Sequence, residues 1–110
     1  MDYPHLQNLK WTKAEKQPAK RAFEAAYERE CRAIRAKVVQ MLIDDDTRQI
    51  WRIHDYLSQA RRASDRKYDY RYSKLDMVLG ILLREGWLSE SDLGGLREDK
   101  LERIRNYERL

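Results

Sequence analysis

The sequence predicts an all-α, elongated protein, and three observations support that prediction. The chain has only four glycines and two prolines, which disfavours sandwiches and barrels and favours a few long helices. Charged residues make up 38% of its 110 residues, against a norm of about 25%, and this surplus requires the large solvated surface of a thin molecule. Apolar residues recur at helical spacing, whereas no segment alternates as a strand does. The length suits a single domain.

The first predicted helix begins near Thr12. Thr12 and Glu15 have the spacing of a capping box, in which each side chain bonds an amide at the helix start. Pro18 predicts a kink, or a later start near Lys16, because proline lacks an amide hydrogen. We expect residues 1–10 to be frayed. A narrow apolar stripe follows, typical of a helix that pairs with another helix of the same or a second chain: Phe23, Tyr27, Ile34, Val38 and Met41.

An acidic break, Asp44–Asp46, precedes the second predicted helix, which covers about residues 46–66. Its apolar stripe is Ile50, Ile53, Leu57 and Ala60. At about 100° per residue, Trp51 lies roughly 130° from the centre of this stripe. An aromatic on the polar side, among ionisable groups, is typical of a protein-interaction hot spot; the groups are His54, Asp55 and Arg61. The alternative is that Trp51 packs on a neighbouring helix and the charges are solvated.

The third predicted helix, over about residues 70–85, is the most apolar segment, and we expect it at the centre of the core. Gly86 follows as a C-cap. Ser89 or Ser91 then caps a short turn, and a last helix covers about residues 96–107.

The residue inventory argues against an enzyme, a metal site and a membrane span. Cys31 is the only cysteine, and two histidines are too few for a histidine metal site. His54 and Asp55 are adjacent, so we expect them to point about 100° apart and not to form a base with its orienting carboxylate. No apolar run approaches the ~20 residues of a membrane span, and no secretory signal is visible. We expect a cytoplasmic protein without a cofactor.

A basic run interleaved with tyrosines raises the question of nucleic acid. The chain has 23 Lys and Arg against 19 Asp and Glu, a mild net charge of +4. The run comprises Arg61, Arg62, Arg66, Lys67, Arg71 and Lys74, with Tyr68, Tyr70 and Tyr72 among them. Three aspartates in the same stretch lower the local potential, so a nucleic-acid-binding protein is the least favoured function.

The central segment resembles the fluorescence recovery protein family. That family carries a Trp-basic-aliphatic-His-Asp-aromatic-Leu-Ser run, and this chain has Trp51-Arg52-Ile53-His54-Asp55-Tyr56-Leu57-Ser58. The family's next Arg and its Lys-Tyr-Asp segment correspond to Arg61 and Lys67-Tyr68-Asp69. Further similar positions, such as Trp11-Thr12 and Leu82-Leu83-Arg84-Glu85-Gly86, extend the resemblance over residues 11–110.

This resemblance implies a homodimer whose long stalk helices occupy about residues 12–66, with a small helical head over about residues 70–110. It implies a non-enzymatic regulator that binds the light-activated red form of the orange carotenoid protein. The regulator detaches that protein from the phycobilisome antenna and speeds its return to the orange form. The resemblance implies no cofactor or metal, and a place beside the photosynthetic membrane if the source is a cyanobacterium.

The positions that match the family's active patch are Trp51, His54, Asp55 and Arg61, and the candidate contacts in the head are Met77 and Arg103. Two other functions stay open. A divergent dimeric adaptor of the same fold, with another protein client, would leave carotenoid photochemistry unchanged. A nucleic-acid-binding protein would lose affinity steeply with salt.

Overall fold

Four α-helices and one short 3-10 turn form the part of the chain that the computed structural model describes, residues 10–110. The helices are α1 (Lys13–Met41), α2 (Gln49–Lys67), α3 (Leu75–Arg84) and α4 (Glu98–Arg109), and the 3-10 turn covers Glu90–Leu93. No strand occurs within residues 10–110, which confirms the all-α prediction. The predicted fraying concerns residues 1–9, which lie outside the described residues, and Lys10.

The described residues form an elongated body, as the charge content predicted. Its principal extents are 59 × 30 × 23 Å and its radius of gyration is 17.1 Å, whereas a compact chain of this length has about 13 Å. The 29 residues of α1 set the long axis, because a helix of that length spans about 44 Å.

The start of α1 confirms the predicted capping box. The Glu15 amide donates to Thr12 Oγ1 at 3.3 Å, and the Thr12 amide donates to Glu15 Oε1 at 3.0 Å. The helix begins at Lys13, so the predicted later start near Lys16 is wrong. The capping box forms the first turn ahead of Pro18, whose ring then packs on Gly95 in the head. Gly95 has a φ of +94°, and a Cβ there would lie only 2.8 Å from the Pro18 ring.

The core lies in the head and against the first half of α1. Four residues of α3 are essentially fully buried, which confirms that the third helix is central: Leu75, Val78, Leu79 and Leu82. From α1 the buried apolar side chains are Ala19, Ala22 and Ala26. Of the predicted stripe of α1, Phe23 borders this core, whereas Tyr27 is 44% exposed and packs edge-on against Tyr68, just after α2, with ring centroids 5.0 Å apart. Small alanines allow α1 to approach the head more closely than the larger stripe residues would.

Residues 68–72 form a non-helical strap between α2 and α3, so the prediction that the third helix begins near residue 70 is wrong. The strap carries a tyrosine at every second position: Tyr68, Tyr70 and Tyr72. The first two pack edge-on against Phe23, with ring centroids 5.4 and 4.8 Å apart. Trp11 Nε1 donates to the carbonyl oxygen of Tyr72 at 3.0 Å. This aromatic packing on α1 replaces the first turn of the expected helix.

The end of α3 is a Schellman motif around Gly86, as its position predicted. The Gly86 φ is +84°, the Trp87 amide donates to the Leu82 carbonyl oxygen at 3.0 Å, and the Gly86 amide donates to that of Leu83 at 3.2 Å. Ser89, with Asp92, then caps the 3-10 turn. The ends of α2 and α4 lie within about three residues of their predicted bounds.

Candidate protein-interaction site

Among the helices within residues 10–110, α2 has the smallest share of buried residues. Ile53 is its only buried residue. Two other members of its predicted apolar stripe, Ile50 and Leu57, are 56% and 41% exposed. Trp51 is 67% exposed, which confirms that it does not face the core. A helix with this much apolar surface left in water is a candidate contact surface for another protein.

Three of the predicted patch residues form one cluster near the start of α2. The rings of Trp51 and His54 lie edge to face, with centroids 6.4 Å apart. His54 Nδ1 lies 3.3 Å from Asp55 Oδ1, so the expectation that this histidine and carboxylate point apart and do not pair is wrong. Both side chains are exposed, and exposed side chains are free to bend toward each other although their Cβ atoms diverge. The cluster offers a partner one aromatic surface beside groups that donate and accept hydrogen bonds.

Arg61 lies further along the same face of α2, where it helps to line a shallow groove. The groove has a volume of about 500 Å³, and His54, Leu57, Ser58, Arg61 and Arg62 line it. Arg61 Nε donates to Asp65 Oδ2 at 3.2 Å, in an ion pair open to solvent. Leu57, Ser58 and Arg62 were not predicted as site residues. Their spacing of three, four and eight positions from His54 is the signal that places them on its face.

The two head residues predicted as contacts lie in a second group. Arg103 on α4 donates from Nε to Oδ2 of Asp76 at 3.0 Å, and its side chain is 18% exposed. Met77 follows Asp76 on α3 and is half-buried. No hydrogen bond, ion pair or ring contact within residues 10–110 joins this group to the patch on α2. The structure thus brings the predicted residues together as two groups rather than one.

The hairpin tip between α1 and α2 adds a third exposed feature. Its large apolar side chains are open to solvent: Val39 (48%), Leu42 (62%), Ile43 (69%) and Ile50 (56%). The acidic break lies beside them, where Asp46 pairs with Arg48 at 3.2 Å and lies 3.8 Å from Arg52. Together with α2, this tip forms an apolar surface rimmed by charge, which is typical of a protein interface.

The described part of the chain offers no metal-binding cluster of three or more His, Cys, Asp or Glu side chains. None of its helices has the length and apolar character needed to cross a membrane.

Comparison with known proteins agrees with the resemblance seen in the sequence. Residues 11–107 match the family described as photoprotection regulator fluorescence recovery protein. The chain is 36% identical over 104 residues to the fluorescence recovery protein of Synechocystis sp. (strain PCC 6803), with 91% of this chain and 93% of that protein covered.

Solved structures of fluorescence recovery proteins also match this chain over most of its length. The Fremyella diplosiphon fluorescence recovery protein matches with a TM-score of 0.85 at 39% identity, covering 92% of this chain and 100% of that one. The Synechocystis sp. PCC 6803 protein matches with the same TM-score and coverage at 35% identity. Both comparisons thus agree with the prediction of a regulatory protein that is not an enzyme. The chain belongs to the fluorescence recovery protein family of photoprotection regulators.

Proposed function

We propose that this protein binds the light-activated red form of the orange carotenoid protein, detaches it from the phycobilisome and accelerates its return to the orange form. The observation that carries the proposal is the exposed cluster of Trp51, His54 and Asp55, with Arg61 on the same helix. An exposed tryptophan among charged hydrogen-bonding groups has the composition of a binding hot spot. The protein would act in the cytoplasm, where phycobilisomes face the photosynthetic membrane.

The mechanism is differential binding. A protein that speeds a conformational relaxation must bind the transition state for that relaxation more tightly than the activated state. Trp51 would supply apolar contact, while Asp55 and Arg61 would fix the client's orientation through charged hydrogen bonds. An elongated scaffold that holds two client domains near each other also raises their effective concentration.

The active form is proposed to be a homodimer. The apolar side chains at the hairpin tip and on α2 are open to solvent in the single chain, and a second copy would cover them. The dimer would hold two copies of the patch at a fixed spacing.

The test of this function is optical. An orange carotenoid protein is converted to its red form by light, and its absorbance is followed back in the dark with and without this protein. We expect faster recovery. Unchanged recovery with the folded protein present would contradict the proposal and would favour the adaptor with another client, to be sought by pull-down. The nucleic-acid alternative loses support, because Tyr68 and Tyr70 pack on α1 and are not free to stack on bases.

The patch is tested by Trp51→Ala. Truncating a hot-spot aromatic costs about 2 kcal/mol or more of binding free energy, so we expect at least about a 30-fold loss of client affinity or of dimer affinity. Trp51→Phe keeps an aromatic ring and serves as the matched control, with a smaller loss. A Trp51→Ala protein that stays dimeric and accelerates recovery fully would show that the patch is assigned wrongly.

A further inference from the structure

The last residue of α2, Lys67, lies between two carboxylates from different parts of the fold. Its Nζ is 2.7 Å from Oε1 of Glu30, on α1, and 2.6 Å from Oε1 of Glu85, which directly follows α3. The Lys67 side chain is 13% exposed and that of Glu30 is 17% exposed. One ammonium group therefore ties the middle of α1 to the ends of α2 and α3, in surroundings where water competes less than at the surface.

Tyr68 completes the junction that Lys67 forms with Glu30 and Glu85. Its ring packs edge-on against Phe23 and Tyr27, with centroids 5.4 and 5.0 Å apart. In that position its hydroxyl donates to Glu30 Oε1 at 2.6 Å. Burial, and then the hydrogen bond to Glu30, raise the pKa of Tyr68, so the hydroxyl remains a donor throughout the neutral range. Glu30 thus receives hydrogen bonds from two consecutive residues at the end of α2.

The junction matters because, within one chain, little else holds α2. Ile53 is the only residue of this helix that is buried. The helix begins just after the hairpin tip, where Leu42 and Ile43 are more than half exposed. A helix with so small a buried surface has few packing contacts to fix its direction, so the polar contacts at its end carry a large share of that task.

We propose that Lys67 is a positioning residue that fixes the patch on α2 relative to the contacts in the head. This inference rests on the proposed function, in which Trp51 and Arg61 on α2 and Arg103 in the head engage the same client. Two contact groups at a fixed spacing bind more tightly than the same groups joined flexibly, because no ordering cost is incurred on binding. Lys67 then acts on affinity without touching the client.

The conformational part is tested without any client. Spin labels are attached at Gln59→Cys on α2 and Asn106→Cys on α4, in a Cys31→Ser background, and the label-to-label distance distribution is measured. An excess of unlabelled chain ensures that only pairs within one chain contribute. We expect Lys67→Met to broaden the distribution and Arg66→Met, a neighbouring exposed cation, to leave it unchanged. The same distribution in Lys67→Met as in the parent would overturn the proposal.

A second variant keeps the test decisive if Lys67→Met does not fold. Glu85→Ala removes only the tie to the head and leaves the pair with Glu30 in place. Glu85 is 39% exposed, so its loss strands no deeply buried charge. We expect a broadened distribution with unchanged thermal unfolding. A distribution identical to the parent's would show that Lys67 does not hold α2 to the head.

The functional part uses the recovery of the red carotenoid protein at several concentrations of regulator. We expect Lys67→Met to raise the concentration for half-maximal acceleration about tenfold while the maximal rate is kept, because affinity falls and the patch itself is intact. A lower maximal rate at unchanged half-maximal concentration would overturn the positioning role. If the parent protein shows no acceleration, the proposed function fails, and the distance measurement still decides the role of Lys67.

Discussion

Burial divides the ion pairs of this chain into two kinds at the scale of single residues. Glu15 and Lys100 are each 1% exposed, and Lys100 Nζ lies 2.9 Å from Glu15 Oε1. The Arg97 amide donates to the other carboxylate oxygen at 2.9 Å. By contrast, the pair of Arg32 with Glu28 is 76% and 67% exposed. An exposed pair contributes about 0.5 kcal/mol, whereas removing one partner of a buried pair costs about 3–5 kcal/mol.

The stability of the protein is predicted to depend on the ionisation of Glu15. Burial by itself would raise the pKa of Glu15, but the Arg97 amide, the Lys100 ammonium and Thr12 together lower it from 4.5 to about 2. Because the folded pKa lies below that of the unfolded chain, the stabilisation is complete above about pH 4.5 and is lost as the pH falls toward 2. The loss amounts to about 3 kcal/mol.

Denaturant unfolding of the parent and of Glu15→Gln between pH 5 and pH 2 measures this loss. We expect the difference in unfolding free energy between the parent and Glu15→Gln to shrink as the pH falls from 5 to 2. The exposed Glu28→Gln is the control and should follow the parent. A constant difference between parent and Glu15→Gln would show that Glu15 does not titrate in this way.

The sequence predicts single residues best where local spacing decides their place. The exposure of Trp51 follows from its angle on the helix, and the bonds between Thr12 and Glu15 follow from their separation. The partners of Asp76 and Glu15 lie 27 and 85 residues away, so no local pattern reveals them. The candidate patch could thus be recognised from sequence, whereas the anchoring of Arg103 in the head could not.

Close approach of α3 and α4 is a property of whole elements that depends on one glycine. A Cβ at Gly80 would lie 2.5 Å from the Cβ of Tyr107 and 2.7 Å from the carbonyl oxygen of Ile104. The two helices touch here through backbone and Cβ atoms, which cannot rotate away as a long side chain can.

Gly80→Ala is therefore predicted to destabilise the head although alanine is the better helix former. The propensity gain is about 1 kcal/mol, while pushing two packed helices apart costs about 1–3 kcal/mol or more, so the balance is unfavourable. Gly94→Ala is the matched control, since its nearest neighbour would lie at 3.7 Å. Thermal unfolding of both variants decides the matter, and a Gly80→Ala protein more stable than the parent would refute the close contact.

Elements with their own capping signals were predictable, and the strap was not. The capping box of α1 and Gly86 at the end of α3 mark those ends in the sequence. Tyr70 and Tyr72 are acceptable in a helix, so nothing local indicates that they lie in a non-helical strap instead. Their packing on Phe23 and beside Trp11 is a tertiary effect that overrides local preference.

For the whole molecule, the uncovered apolar side chains predict the state of assembly. Ile50 is 56% exposed on the proposed dimer face. We expect Ile50→Glu to shift the protein toward monomers, since each new carboxylate would have to lose its water on association. Sedimentation velocity measures the shift, and the exposed Gln59→Glu, which adds the same charge elsewhere on α2, should leave the parent's assembly state unchanged. Equal sedimentation of parent and Ile50→Glu would place the interface elsewhere.

The single buried residue of α2 has a consequence for how this family can change over time. Substitutions on a helix that adds so little to the core leave the free energy of unfolding nearly untouched. The patch on α2 and the core of the head are therefore under largely separate constraints. A lineage can redesign the α2 side of its client surface, residue by residue, while the core of the head keeps every intermediate sequence folded.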